Sequence, residues 1–464
     1  MNNVNANIKS NITDMTFGSP SNHILKFAVP LLIGNLFQQL YNMVDSLIVG
    51  NFVGANALAS VGTCGSVSFL FFALSSGLAL GIGIIVSQYF GAKNEEKVRI
   101  TIGNSFYVLI AASLVVSLFG IFFSPFIMTL LQCPEIIKAD AITYLRTSCY
   151  GIVFIALYNG VAAILRALGD SKTPLYFLIL SSIVNVVLDL VFVLCFDWAV
   201  FGVAFATVVS QAVSAIASLI YAFKKVPYFN LSKAELMPHK AIIINSFKLG
   251  VPISLQNSLI AISCIVLQGV VNTFGETVMA AYTVTMRIEQ LVQQPYGSLG
   301  MALTSYAGQN FGAQRIDRVK KGMHRATFMV LIFSLIMIPV FYVFGKQIIY
   351  CFVKEPEVIS IGAKALRITS LFYFFLGMIY APRSLLNGCG DTTFSMINGI
   401  TEVVCRISFS ILFTSIATIS IFGHTYNIGY WGIWLTTGLT WFTTAMICLL
   451  RYKLGSWRTK TIVK

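Results

Sequence analysis

Residues 30–50 read PLLIGNLFQQLYNMVDSLIVG, an apolar run interrupted by one charged side chain, Asp45. A bilayer-spanning helix needs about 20 such residues at about 1.5 Å of rise each. An ionised carboxylate at mid-bilayer costs about 2.5–3.5 kcal/mol on insertion scales. Asp45 is therefore expected to face a wet cavity and bind an ion or proton, or else to pack as a protonated, hydrogen-bonded core group. The run also opens a pattern that recurs. FAVPLLIGNLFQQLYNMV (27–44) returns as LGVPISLQNSLIAISCIV (249–266), SQYFGAKNEEKVR (87–99) as GQNFGAQRIDRVK (308–320), and LRALGDSKTP (165–174) as LNGCGDTTFS (386–395). The offsets are 222 for the prolines (252 − 30) and 221 for the FGA glycines (312 − 91) and GD aspartates (391 − 170). A parallel repeat of this kind predicts two halves in one orientation, with a substrate site between them near mid-membrane.

Of the 464 residues 57 % are hydrophobic and 10 % charged, more apolar surface than a soluble core can hide. Apolar runs near 24–50, 57–90, 100–124, 137–166, 174–196, 200–223, 245–273, 277–310, 324–345, 357–386, 393–422 and 430–450 give twelve spans. The expected fold is an all-α polytopic membrane protein of two pseudo-symmetric six-helix lobes. A tail (1–23), an N-lobe (24–223), a linker (224–244), a C-lobe (245–453) and a second tail (454–464) divide the chain. Lys93, Lys97 and Arg99 follow span 2, Arg166 and Lys172 span 4, Lys224 and Lys225 span 6, and Arg315 and Arg318 span 8, whereas loops after odd spans carry almost none. By the positive-inside rule both termini are cytoplasmic, in a cell (plasma or inner) membrane. The net charge of +14 lies in these short loops, so no nucleic-acid partner is expected. The nine cysteines show no CxxC or Cys/His spacing, which predicts neither disulfide nor zinc site. The N-terminus is polar, without an h-region, and reads as a tail.

Helical rise places the polar groups within the spans. Asp45 lies 15 residues past Pro30 and Asp189 15 past Pro174, so both reach about 22 Å above the inner side. Thr207, on the returning span 6, comes to about 18 Å and Asn159 to about 15 Å. Asn185 and Asp189, four apart, share a helix face. These oxygens can form a cage for a hard cation such as sodium, or a carboxylate pair sharing a proton, or can merely link helices. The second half does not copy them: Leu267, Arg406 and Ser410 stand at the positions of Asp45, Asn185 and Asp189. Glu402 and Arg406 at i, i+4 read as a structural ion pair or a substrate contact. Pro30, unable to donate a backbone hydrogen bond, is a candidate hinge.

The twelve-span duplication, the P-x14-D pattern with VDSLIVGNFVG, the FGA loops and the LRALGD turn together resemble the multidrug and toxic compound extrusion (MATE) family over about residues 24–453. The resemblance implies a secondary active antiporter exporting amphipathic, often cationic, drugs or metabolites in exchange for H⁺ or Na⁺. It implies a cation site at Asp45, Asn185, Asp189 and Thr207, with Asn159 beside it. Spans 7 and 10 lack the acids that some branches carry there, so no second ion site is expected. Candidate substrate contacts are Tyr41, Gln256, Glu289 and Arg406. No cofactor beyond the coupling ion is implied, and the expected partners are a small molecule, the coupling cation and the bilayer around a monomer.

Three other readings compete. A lipid-linked saccharide flippase of the same superfamily calls for extra helices or a basic central cavity. An intramembrane enzyme needs a His or Ser/Asp constellation, yet His23, His239, His324 and His424 lie in the tail, in loops or at span ends, and neither GxSxG nor HExxH occurs. A channel gives no reason for a duplicated half with one buried carboxylate pair.

Overall fold

The computed structural model describes residues 11–415, 418–421 and 424–460. Fourteen α-helices fall among them: α1 (Pro20–Ile48), α2 (Ala55–Gly91), α3 (Glu95–Leu130), α4 (Glu135–Tyr150), α5 (Ile152–Ala167), α6 (Lys172–Leu190), α7 (Ala199–Lys225), α8 (Lys240–Val271), α9 (Glu276–Gly312), α10 (Ile316–Tyr350), α11 (Pro356–Ser370), α12 (Tyr373–Gly388), α13 (Thr393–Ser415) and α14 (Gly432–Leu454). Nine are long and apolar enough to span a bilayer, and the bent pairs α4–α5 (43°) and α11–α12 (50°) bring the count among the described residues to eleven. The twelfth span is α9, 37 residues long. Its middle carries Arg287, Glu289, Gln290, Gln293 and Gln294, which lower its apolarity below that of its neighbours. The apolar run expected to extend to 422 is shorter as a helix: α13 ends at Ser415, and β1 (Thr418–Ile421) pairs antiparallel with β2 (His424–Asn427) as a hairpin. The β-branched TISI segment suits an extended strand.

Local chemistry sets the helix ends. The Asn94 side chain accepts from Lys97 N at 3.0 Å and caps α3. Asp170 accepts from the backbone of Lys172 and Thr173 at 3.0 Å and caps α6. Both repeat turns need glycine, since Gly169 (φ +90°) and Gly390 (φ +87°) are left-handed. The linker is pinned to α3: Asn104 accepts from His239 N at 2.7 Å and Tyr107 donates to Leu236 O at 3.0 Å.

The two halves exchange helix ends. The N-terminal half of α1 (Ile24, Phe27, Ala28, Leu31) lies in one buried cluster with residues of α9 to α14, including Val292, Tyr296 and Leu299. Reciprocally, Leu249 and Ile253 of α8 join the N-half cluster around Leu78 and Ile82. Helices α2 and α8 cross on small residues: a Cβ on Gly77 would sit 2.6 Å from Ser254 N, and one on Gly81 2.6 Å from Gly250 N. Such close backbone approach is how helices associate where lipid removes the hydrophobic driving force.

At the basic end of the bundle the FGA turns of both halves interlock. A Cβ on Gly91 would lie 1.9 Å from Gln309 O, and one on Gly312 1.9 Å from Gln88 O. A strap of the N-terminal tail closes this seam. Thr13 N donates to Leu168 O at 3.2 Å, Met15 N to the Gln309 side chain at 2.8 Å, and Arg315 to Thr16 O at 2.7 Å. Arg318 donates to Met15 O and Gly18 O, each at 3.0 Å.

Candidate ion site and central cavity

Asp45 sits near the C-terminal end of α1 and Asp189 near that of α6. Each of these helices runs on into a π-helical turn, Val49–Val53 and Val191–Cys195. Such turns are frequent at functional sites. Asp189 is fully buried and Asp45 half-buried, and their carboxyl groups come within hydrogen-bond range of one another. With its amide orientation assigned from the network, Asn185 donates to Asp189 Oδ2 at 3.0 Å and accepts from Thr207 N at 3.3 Å. Tyr41, one turn before Asp45, reaches the Thr207 hydroxyl, and Thr207 in turn donates to Val203 O at 3.1 Å. Oδ1 of Asp45 and Oδ1 of Asp189 are both buried without a donor. Two carboxylates within hydrogen-bond range of one another need a proton or a cation between them.

The structure thus gathers Asp45, Asn185, Asp189, Thr207 and Tyr41 at one place and adds Tyr144 of α4, which lies in the electrostatic field of both acids. Nothing in the spacing of α4 singles out Tyr144. Among the described residues no group of three or more His, Cys, Asp or Glu is positioned to hold a metal. The all-oxygen donor set fits a proton or a hard monovalent cation, and not zinc.

Asn159 lies elsewhere. It lines a central cavity of about 360 Å³ between the halves, together with Pro30, Gln256 and Asn257. Its Nδ2 is buried without a partner. Arg166, expected in a loop, is in the last turn of α5 and lines the same cavity, as does Arg383 of α12. Glu289 and Arg406 do not line it. Glu289 is buried near Thr369, and Arg406 Nη2 donates to Glu402 Oε1 at 2.9 Å in a buried pair. Pro30 lies within the continuous α1 helix, at the level where that helix leaves the C-half cluster.

The MatE family model matches this chain twice, over residues 30–191 and 252–412. A relative, the probable multidrug resistance protein YpnP of Bacillus subtilis, is 30 % identical over 96 % of this chain and 97 % of its own. Two solved structures share the fold. One is described as the outward-facing conformation of a multidrug resistance MATE family transporter of the MOP superfamily (TM-score 0.86, 23 % identity, 96 % of this chain and 98 % of that one). The other is a MOP superfamily transporter from Pyrococcus furiosus whose binding pocket is described as of reverse polarity (TM-score 0.87, 22 % identity, 95 % and 97 %). The chain belongs to the MATE family of multidrug efflux transporters. It is a multi-pass membrane transporter of small molecules and not an enzyme.

Proposed function

We propose that this protein is a cation-coupled antiporter that exports amphipathic organic compounds in exchange for H⁺ or Na⁺. One observation carries the reading: the Asp45–Asp189 pair joins the outer half of α1 to the N-lobe, while the inner half of the same helix is packed in the C-lobe cluster. A cation between the carboxylates binds α1 to the N-lobe, and its release frees that contact. Binding at one end of α1 is thereby coupled to packing at the other, which is what alternating access requires. The moving bodies of this rocker-switch are the lobes 24–223 and 245–453, joined by 224–244. With the Lys- and Arg-rich side cytoplasmic, the interlocked seam is an inner gate, closed here, and both termini lie inside. A monomer suffices, since both halves of the cavity come from one chain.

The experiment is dye efflux from vesicles holding the purified chain, under an imposed sodium or pH gradient. Efflux is expected to follow one gradient and to be lost in Asp45→Asn. Efflux indifferent to both gradients overturns the reading. A flippase for lipid-linked saccharides has one observation in its favour, the arginines of the central cavity, but about 360 Å³ is the size of a single drug-like molecule.

A further inference from the structure

The sign of charge in the central cavity differs from what a site for cations calls for. Its lining contains two arginines, Arg166 and Arg383, and no aspartate or glutamate. Asp45, Asp189, Glu289 and Glu402 all stand outside that lining. None of the ion pairs among the described residues involves either arginine. The Arg166 guanidinium donates no hydrogen bond among the described residues either; its backbone carbonyl accepts from Gly169 N at 3.0 Å. As the last-turn residue of α5 it complements the helix dipole, which accounts for its sign but leaves its guanidinium unmatched. Arg383 is nine-tenths buried and held in place: Gln256, with its amide oxygen turned inward, accepts from Nη1 at 2.6 Å and from Nε at 3.2 Å. The guanidinium also lies 5.0 Å from the Tyr380 ring centre. An arginine so oriented keeps its remaining N–H groups for a planar acceptor.

We propose that this cavity binds a drug-sized organic anion, an aromatic compound bearing a carboxylate or phosphate, with Arg166 and Arg383 as its charge partners. Phe72, Tyr158 and Tyr380 supply the apolar and stacking walls, and Asn159, whose Nδ2 is unpaired, supplies a further donor. The volume of about 360 Å³ lies within the range of about 300–1,000 Å³ typical of small-molecule sites. The proposal deepens the antiporter reading and rests on this cavity being its transport site. Exporting an anion while admitting a cation moves positive charge inward twice per cycle, so an inside-negative potential should speed export.

The test uses the purified full chain and two dyes of similar size, anionic carboxyfluorescein and cationic ethidium. Equilibrium binding is read by fluorescence anisotropy and efflux from vesicles under imposed gradients. Carboxyfluorescein should bind, and Arg166→Gln and Arg383→Gln should each weaken it about tenfold or more, the loss expected for a charge-assisted hydrogen bond. Arg166→Lys and Arg383→Lys should retain part of the affinity, which separates lost charge from misfolding. Ethidium binding without carboxyfluorescein binding, or anion binding unchanged in both Gln variants, overturns the proposal. Gradient-driven ethidium efflux alongside those results leaves the antiporter reading standing. Anion binding that depends on both arginines, with no efflux under any gradient, supports the site and overturns antiport alone.

Discussion

Gln88 and Gln309 hold equivalent positions in the two halves, and each donates across the seam to the other half's repeat turn: Gln88 Nε2 to Gly388 O at 2.9 Å, Gln309 Nε2 to Ala167 O at 2.8 Å. Removing either leaves a buried carbonyl unsatisfied, at about 1–3 kcal/mol. Gln88→Ala and Gln309→Ala should therefore each shift the population toward separated helix ends at this seam, by about tenfold or more. Spin-label distances across the seam check this, and an unchanged distribution in both variants would show that the interlocked glycines alone hold it. Gly91→Ala should have a larger effect, because its Cβ meets backbone and not a movable side chain.

The acid pair predicts a graded series. Asp45→Asn and Asp189→Asn should abolish gradient-driven efflux at normal expression, since an amide keeps the size but cannot exchange a proton or neutralise a cation. Asn185→Ala and Thr207→Ala should weaken coupling without erasing it. Efflux and sodium or proton flux measured side by side decide the order, and a Thr207→Ala defect exceeding that of Asp45→Asn would reverse the assigned roles.

Pro30 lies between the C-lobe-packed and N-lobe-packed parts of α1, where one backbone hydrogen bond is missing. Pro30→Ala should stiffen that point and slow turnover several-fold while substrate affinity is kept. Wild-type turnover in this variant would dismiss a hinge there.

Coupling should reside in the N-lobe alone. Arg406 stands at the position equivalent to Asn185 and takes up Glu402 in a buried ion pair, so no free carboxylate is left there to hold a second cation. Neutralising Glu289, Glu402 and Arg406 together, as Gln, should leave ion coupling intact. Loss of coupled ion flux in that triple variant, with Asp45 and Asp189 untouched, would rule the assignment out.

The strap has its own ion pair, Asp14 with Lys93. Partial burial opposes the charged form of Asp14, but the bonds from Lys93 and Thr16 outweigh it and hold the carboxyl below its ordinary value of 3.8. A depressed folded-state pKa gives stability that is present above the unfolded value and lost as pH falls through the folded one. Asp14 therefore stays ionised between about pH 5 and 8. Asp14→Asn should leave the shape of the efflux pH profile in that window unchanged. A shifted profile would place the strap in the coupling machinery.

Much of this was legible in the sequence, because the bilayer fixes helix length and the repeat fixes pairing. Equal spacing from Pro30 to Asp45 and from Pro174 to Asp189 put two acids at one depth, and i, i+4 spacing put Asn185 beside Asp189. Tyr144 was hidden because no local pattern tells which aromatic of a bent span turns inward. Arg166 was hidden because a basic residue at a span end looks the same whether it points to the cytoplasm or into a cavity. The exchange of the N-terminal halves of α1 and α8 depends on tertiary packing that no hydropathy window records.

The seam has one more property. Gln88 binds the last residue of α12 and Gln309 the corresponding last residue of α5, just as Gly91 rests on the backbone of Gln309 and Gly312 on that of Gln88. Residue i touching j′ while i′ touches j is the rule of an isologous two-fold interface. Such a surface is self-complementary, so a chain of half this length could close it with a second copy of itself. Fusing two copies turns that dimer into one polypeptide whose halves can then diverge, as Asn185 and Arg406 have. Separate expression of residues 1–239 and 240–464 should accordingly give fragments that reassociate into an efflux-competent complex, and fragments that never co-purify would refute this origin for the seam.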